Sequence, residues 1–471
     1  MAENTIDVDY LIIGGGAVGM AFADSILTET NATMAIVDRH HRPGGHWNDA
    51  YPFVRLHQPS SSYGVNSRPL GTGMKDEVGH NTGMYELASG QEVLSHFDLT
   101  MQQQFITSGR VRYFPMSNAD DDGTVTSLLS GGTTTINARK VVDATHSKMH
   151  VPSTHTPGFS VSPDVAFIPL NGLPRTAHAH DSYVVIGAGK TGMDAVIWLL
   201  DNGATPDQVQ WIMPRDAWLL PRENFQPGLE FFPDVVRDLA TQVEAIDGAA
   251  SVDEVFERLD ASGNVVRIDP TVRPEAYHCA IASAGELAQL RRISKIVRMG
   301  RVTAIEADHL VLEHGTISTG PNALHIDCSA AGIPTLPAKP VFAGNRITLQ
   351  WVRFCQPTFS GAFIGMVEAN FDDEAEKNLI CAPIAPPTVP VDWLRMMVVE
   401  LPNRQRWMTY PVITSWMENS RLAGGFTKNL NSLKGDDTEI WGYLQRYLAH
   451  VGPAAANARR LIDAWVTAPS V

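Results

Sequence analysis

Apolar residues in this chain fall into short, nearly unbroken runs that lead straight into glycine. Tyr10-Leu11-Ile12-Ile13 opens onto Gly14-Gly15-Gly16-Ala17-Val18-Gly19, and Met20-Ala21-Phe22-Ala23 follows. Tyr183-Val184-Val185-Ile186 opens onto Gly187-Ala188-Gly189-Lys190-Thr191-Gly192, and Met193 to Trp198 follows. An apolar run of four ending at glycine fits a strand buried on both faces of a parallel sheet. Each stretch therefore predicts a strand, a tight turn and a helix. A further strand comes after each helix. Met34-Ala35-Ile36-Val37 ends at Asp38, and Val209-Gln210-Trp211-Ile212-Met213 ends at Pro214-Arg215.

The pattern repeats beyond these segments. After a polar stretch to about Gly90, a helix is expected over Glu92 to Gly109. Short strands follow at Val111–Phe114, Thr124–Leu129, Thr133–Ile136 and Lys140–Val142, ending at Asp143-Ala144-Thr145-His146. The second half echoes this with Val302–Ala307, His309–Glu313, Thr316–Ile317 and Leu324-His325-Ile326, ending at Asp327-Cys328-Ser329-Ala330-Ala331-Gly332. The expected fold is α/β, with two Rossmann-like dinucleotide-binding domains, the second inserted in the first, and a helical C-terminal region. The boundaries are 1–150 with 321–385 for the first domain and 151–320 for the second, which has a helical insertion around 225–300. Ala382 to Pro390 reads as a linker, and 386–471 as the helical region. Its Trp407, Trp416, Trp441 and Trp465 are core or interface residues, and the region is a candidate homodimer contact.

Both glycine runs match G-x-G-x-x-G. The first glycine permits the tight turn, the second lets the backbone approach a pyrophosphate, and the third lets the helix pack closely on the strand. The pyrophosphate then meets a helix N-terminus, whose unpaired N–H groups favour anions. Asp38, followed by Arg39, stands about 20 residues past the first motif, where a carboxylate accepts from ribose hydroxyls. The second motif has no acid there, and Arg215 lies beside the position. A guanidinium pairs with a 2′-phosphate. FAD is therefore expected at the first site and NADP(H) at the second, with NAD(H) as the alternative there.

The chain has 471 residues, 44% of them hydrophobic, enough for two or three cores. Net charge is −15 with no basic cluster, which argues against nucleic acid and anionic membranes. The four cysteines, Cys279, Cys328, Cys355 and Cys381, form no C-x-x-C pair. That spacing argues against a dithiol centre and for a reducing cytoplasm. No signal peptide or membrane span is read. No histidine group has acids or cysteines at metal-ligand spacing, so no metal site is expected.

Taken together, these motifs resemble flavoprotein oxidoreductases with two dinucleotide-binding domains. They are most similar to the single-component FAD- and NADPH-dependent monooxygenases (flavin-containing, N-hydroxylating and Baeyer–Villiger types). The resemblance is carried by Gly14–Gly19 with Asp38, by Gly44-Gly45-His46-Trp47, and by Gly187–Gly192 with Arg215. It implies that Gly45, His46 and Trp47 line the flavin and that His57 and Gln58 face the cofactor. It places Asn66 near the reacting edge of the ring, so that Asn66 and His57 are the catalytic candidates. Ala144 and Thr145 would close the FAD fold, and Gln356 and Thr358 would head a helix near the flavin pyrimidine. No F-x-G-x-x-x-H motif lies between His146 and Asp181, and His146 stands where the family's A-T-G segment has glycine. The expected activity is NADPH-driven oxygenation of a small organic substrate by molecular oxygen through a flavin C4a-peroxide. A flavin dehydrogenase or reductase without oxygen insertion, and a non-catalytic nucleotide-binding redox sensor, remain as alternatives.

Overall fold

The computed structural model describes residues 5–147, 149–320, 322–334 and 336–467. Two sheets, each built on five parallel strands, organise it. The first places Arg346–Thr348, Thr133–Asp143, Thr5–Ile13, Met34–Val37 and Val111–Phe114 side by side, all parallel. Ile13 is opposite both Val37 and Asp143, so Gly14, Asp38 and Ala144 emerge together at the carboxyl end of the sheet. In open α/β sheets this edge is where ligands bind. Met34–Val37 is buried at every position, as its unbroken apolar sequence requires.

The second sheet orders Ile296–Val297, Val209–Ile212, Ser182–Ile186, Ala323–Asp327 and Phe167–Pro169, again all parallel. Its strands lie within the chain interval that separates Asp143 from Arg346, so the second unit is inserted in the first. The helix Ala17–Glu29 packs against Pro357–Asn370, a late helix that runs beside it in the same direction. Gly361 faces Val18, and Gly365 faces Phe22 and Ser25. The N-termini of these two helices therefore point to the same end of the sheet.

The interval 225–300 is not helical throughout. Helices occupy Phe232–Ile246, Val252–Ser262 and Ala284–Leu290, but Ala276–Ala282 is a strand parallel to Ala217–Pro221. Ala-Tyr-His-Cys-Ala-Ile-Ala is short and apolar but for His278, and tertiary packing rather than periodicity decides such runs. The tail is helical, over Pro390–Trp407, Pro411–Asn419, Phe426–Ser432 and Thr438–Thr467. Its Trp393, Val451 and Leu461 share one core with Val243 and Phe256 of the insertion, whereas Trp407 enters the core of the first unit. Trp441 and Trp465 are exposed. No described helix is long and apolar enough to cross a membrane.

Candidate functional site

The two glycine turns are built alike. Gly14 has φ +106° and Gly187 φ +127°, conformations that L side chains rarely adopt. A Cβ on Gly19 would lie 2.1 Å from the Gly14 carbonyl oxygen, and one on Gly192 2.2 Å from that of Gly187. Only glycine lets each helix sit this close to its strand. The closing turns also match. Asp143 Oδ1 accepts from the Thr145 N–H and Oγ1–H at 3.0 and 2.8 Å, and Thr145 packs on Gly14 beside Ala144. Asp327 Oδ1 accepts from the Ser329 N–H and Oγ–H at 2.9 and 2.6 Å, and Cys328 packs on Gly187.

Gly16 and Gly189 are the N-caps of the two fingerprint helices, and no side chain caps either one. A Cβ on Gly189 would meet nothing within 4 Å; one on Gly16 would meet only the Gly45 backbone, at 3.6 Å. The orphan N–H groups of Ala17 and Val18, and of Lys190 and Thr191, are thus left to a ligand or solvent. Asp38 is buried; its Oδ2 accepts from the Gly15 N–H at 2.7 Å, and its Oδ1 from the His40 N–H at 2.8 Å. Hydrogen bonding to Asp38, against desolvation and with help from Asp49, raises the His40 pKa. Arg39 beside it is exposed. Arg215 is exposed at the end of its strand, and no hydrogen bond or ion pair engages it among the described residues.

Residues 44–58 bring the two units together. The Gly44 N–H donates to the Gly15 carbonyl at 2.9 Å, and Gly44 and Gly45 both have positive φ. Trp47 is buried and donates Nε1–H to the Tyr63 hydroxyl at 2.8 Å. Desolvation holds neighbouring His46 down to about 4, so its ring is neutral at pH 7. The Tyr51 hydroxyl donates to Asp194 at 2.5 Å, and Asp194 also pairs with Lys190. Phe53 stacks on Trp198 at 5.4 Å. The second fingerprint helix is thereby clasped to the first unit.

His57 and Gln58 lie on this seam. Burial, then the charges of Lys190 and Arg222, push His57 down to about 3. Its Nδ1 accepts from the Ile281 N–H at 3.3 Å, which leaves the ring hydrogen on Nε2, where no described residue is hydrogen-bonded. Gln58 Oε1 accepts from Gln356 Nε2 at 2.9 Å, and Gln58 Nε2 donates to the Cys355 carbonyl. Thr358 is fully buried and reaches the Ser62 carbonyl. Gln58, Gln356 and Thr358 thus meet at the head of the helix Pro357–Asn370. Asn66 does not join them. Its Oδ1 accepts from Ser420 of the tail at 2.9 Å, and the adjacent Ser67 bonds to Asp24, about 12 Å along the fingerprint helix from Gly16.

Two features escaped the sequence. Arg222 is fully buried and donates to the His57 carbonyl, Asn81 Oδ1 and, at 2.6 Å, Glu286 Oε2. Desolvation opposes ionisation of Glu286, but the charges of Arg222 and Lys190 outweigh it and hold the carboxyl below its ordinary range. Nothing in local sequence marks Arg222; its partners lie 64 to 165 positions away. The cysteine spacing also concealed a pairing. Cys279 and Cys355 are joined as a disulfide, 76 positions apart with Cα atoms 6.4 Å apart. A C-x-x-C search detects only pairs that are neighbours in sequence. Cys328 and Cys381 are buried and free.

Parallel sheets, glycine turns at their carboxyl edges and uncapped helix N-termini define an α/β protein of the Rossmann-like kind. Residues 12–64 match the family model of the NAD(P)-binding Rossmann-like domain. The chain belongs to the family of the uncharacterized protein Rv2000 of Mycobacterium tuberculosis, with which it is 49% identical over 418 residues, 89% of this chain and 78% of that protein. The uncharacterized protein Mb2023 of Mycobacterium bovis matches to the same extent. Among solved structures, cyclohexanone monooxygenase from Rhodococcus sp. Phi1 bound to NADP+ is similar at a TM-score of 0.49 and 13% identity, over 97% of this chain and 99% of that one. A mutant flavin monooxygenase from Stenotrophomonas maltophilia is similar at 0.47 and 14%, over 79% and 98%.

Proposed function

We propose that the protein is an FAD- and NADPH-dependent oxidoreductase that oxygenates a small organic substrate. The observation that carries the reading is the duplication of one nucleotide cradle on either side of the seam at residues 44–58. A single cradle would serve a nicotinamide dehydrogenase; two across one seam suit hydride transfer from one dinucleotide to another. FAD would lie over Gly14, Gly16, Ala17, Val18 and Gly19, with Asp38 on its ribose and Gly45, His46 and Trp47 along its length. Ala144, Thr145, Gln58, Gln356 and Thr358 would complete that site. NADPH would lie over Gly187, Gly189, Lys190, Thr191 and Gly192, with Arg215 on its 2′-phosphate.

The residues present fit both groups. The space at Gly189 is open, and the Gly16 face is closed only by another glycine. Bound flavin supplies acceptance of a hydride and delivery of electrons to oxygen. The chain's own part is to bind, orient and shield. Neutral His57 offers Nε2–H as a hydrogen-bond donor at the seam without adding charge, and the uncapped head of Pro357–Asn370 favours negative charge beside it. The Gly44–Trp47 segment, in its resemblance to flavin monooxygenases, favours oxygen insertion over simple dehydrogenation. The test is anaerobic mixing of the purified yellow protein with NADPH, followed by rapid mixing with oxygen and quantitation of hydrogen peroxide and oxygenated product. Flavin reduction with oxygen incorporated into product supports the reading. Reduction with stoichiometric peroxide across a panel of amines, sulfides and ketones refutes the oxygenase part, and a colourless protein that neither takes up FAD nor oxidises NADPH refutes the whole.

A further inference from the structure

We infer that Cys279 and Cys355 form a reversible dithiol–disulfide centre that exchanges electrons with external thiols and sets the conformation of the His57–Gln58 seam. The pair bridges the inserted unit and the head of the helix Pro357–Asn370. Cys279 sits in the strand Ala276–Ala282 where its pairing breaks. Trp218 is opposite Tyr277 but Leu220 is opposite Ile281, so extra residues centred on Cys279 bulge from the ladder. Bulges re-aim a side chain out of a regular sheet. Cys279 has φ +56° and Cys355 φ +50°; Met116 is the one other non-glycine described residue with positive φ. That region is sparsely populated for side-chain-bearing residues, and it is held where the surroundings over-determine it. Both cysteines are held there, facing one another.

Their connections converge on one dipeptide. Two residues past Cys279, the Ile281 N–H bonds His57 Nδ1, and the Cys355 carbonyl accepts from Gln58 Nε2. Next to Cys355, Gln356 bonds Gln58. The bond between the sulfurs thus closes a loop around His57 and Gln58, and its loss leaves their partners on separately mobile segments. The other two thiols are unsuited to exchange: burial raises Cys328 and Cys381 well above the ordinary thiol range.

Cys355 is the attacking residue. It is part-exposed, whereas Cys279 is buried, and it directly precedes the N-cap of a 14-residue helix, which favours thiolate. The Cys355 thiolate attacks one sulfur of an external disulfide, RSSR; the Cys355–SR bond forms, the S–S bond of RSSR breaks, and RS⁻ leaves. Cys279, giving its proton to solvent, then attacks the Cys355 sulfur and expels the second RS⁻. Two electrons pass from the cysteine pair to RSSR, which becomes two RSH. An external dithiol reverses the sequence.

The test uses the full-length protein, and its readouts are peptide mass and amide exchange, neither of which needs flavin or NADPH; it therefore stands or falls apart from the proposed function. Wild-type protein is cycled natively between dithiothreitol and glutathione disulfide, alkylated, and mapped. The expected result is a 279–355 cross-link in the oxidised form and two newly alkylated cysteines, 279 and 355, in the reduced form, with Cys328 and Cys381 unreactive in both. Amide exchange over 276–282 and 353–358 should be about tenfold faster after reduction, with the first sheet unchanged. In Cys279→Ser, glutathione disulfide should leave a stable mixed disulfide on Cys355; in Cys355→Ser, it should leave none on Cys279. No cross-link, a cross-link that resists dithiothreitol until the protein unfolds, or exchange unaltered by reduction would each overturn the inference.

Discussion

Replacing Arg222 by methionine tests how the two units are held in register. Arg222 is among the largest fully buried side chains, and its guanidinium has three partners: the His57 carbonyl at 3.1 Å, Asn81 Oδ1 at 3.2 Å and Glu286 Oε2 at 2.6 Å. Methionine fills the stem volume and removes the fork. Glu286 then stays in a desolvated place without its main counter-charge, and removing one partner of a buried pair costs about 3–5 kcal/mol. In urea this corresponds to a midpoint lower by about 1–2 M, read by tryptophan fluorescence. The pH dependence should change sign as well. In the parent, Glu286 is held below its ordinary value of 4.5, so its contribution is full above 4.5 and is lost as acid protonates it in the folded state. In Arg222→Met desolvation dominates and the folded value rises above 4.5. The carboxyl then costs stability as pH rises from 4.5 through that folded value. Arg222→Lys keeps charge but not the fork, and should recover part of the loss. A midpoint within about 0.3 M of the parent, or an unchanged pH slope, would refute the claim that this cation pins the seam.

Other predictions follow from the same geometry. Under the proposed function, Gly192→Ala, which places a Cβ 2.2 Å from the Gly187 carbonyl oxygen, should sharply slow reduction by NADPH while flavin content, read by absorbance, equals that of the parent. Arg215→Ala should raise the KM for NADPH by about 1.5–3 kcal/mol equivalent and leave that for NADH nearly constant; equal effects would remove Arg215 from the 2′-phosphate. Glu368 accepts from Tyr10 at 3.0 Å and pairs with Lys140 and buried Lys377, so Glu368→Ala should cost about 3–5 kcal/mol in urea unfolding, largely restored by adding Lys377→Met. The raised His40 pKa means its bond to Asp38 stabilises the fold fully below 6.5 and less as pH climbs through the folded value; His40→Gln should abolish that alkaline decline in a pH series of unfolding midpoints.

What could be read from sequence was local. Tyr10 to Gly19 and Tyr183 to Gly192 declare strand, turn and helix within ten residues, because glycine spacing reports backbone contacts made inside the motif. The strands Met34–Val37 and Val209–Ile212, which precede Asp38 and Arg215, were legible from their own apolar runs. Contacts across the chain were not. Arg222 meets His57 and Glu286, Gln58 meets Gln356, and Cys279 meets Cys355, all through folding of segments tens to hundreds of positions apart. The strand Ala276–Ala282 was read as part of a helical stretch because six apolar residues around His278 carry no decisive period. Asn66 was placed by analogy with a motif, and the tail residue Ser420 that holds its side chain could not be seen from the loop itself.

The shared core of the insertion and the tail bears on how the chain is made. Val243, Ile246, Phe256 and Leu259 find their cover in Trp393, Leu394, Val451 and Leu461. Roughly 200 residues separate these partners, and at ribosomal speeds of about 5–20 residues per second the first group waits about 10–40 s for the last. Through that interval the nascent insertion presents bare apolar faces, which suits it to chaperone capture. A stop codon early in the 30-residue helix Thr438–Thr467 would leave both nucleotide cradles encoded in full and strip Val451 and Leu461, but not Trp393 and Leu394, from the cover of the insertion. The helix Thr438–Thr467 thus seals a part of the molecule that was made roughly 200 residues before it.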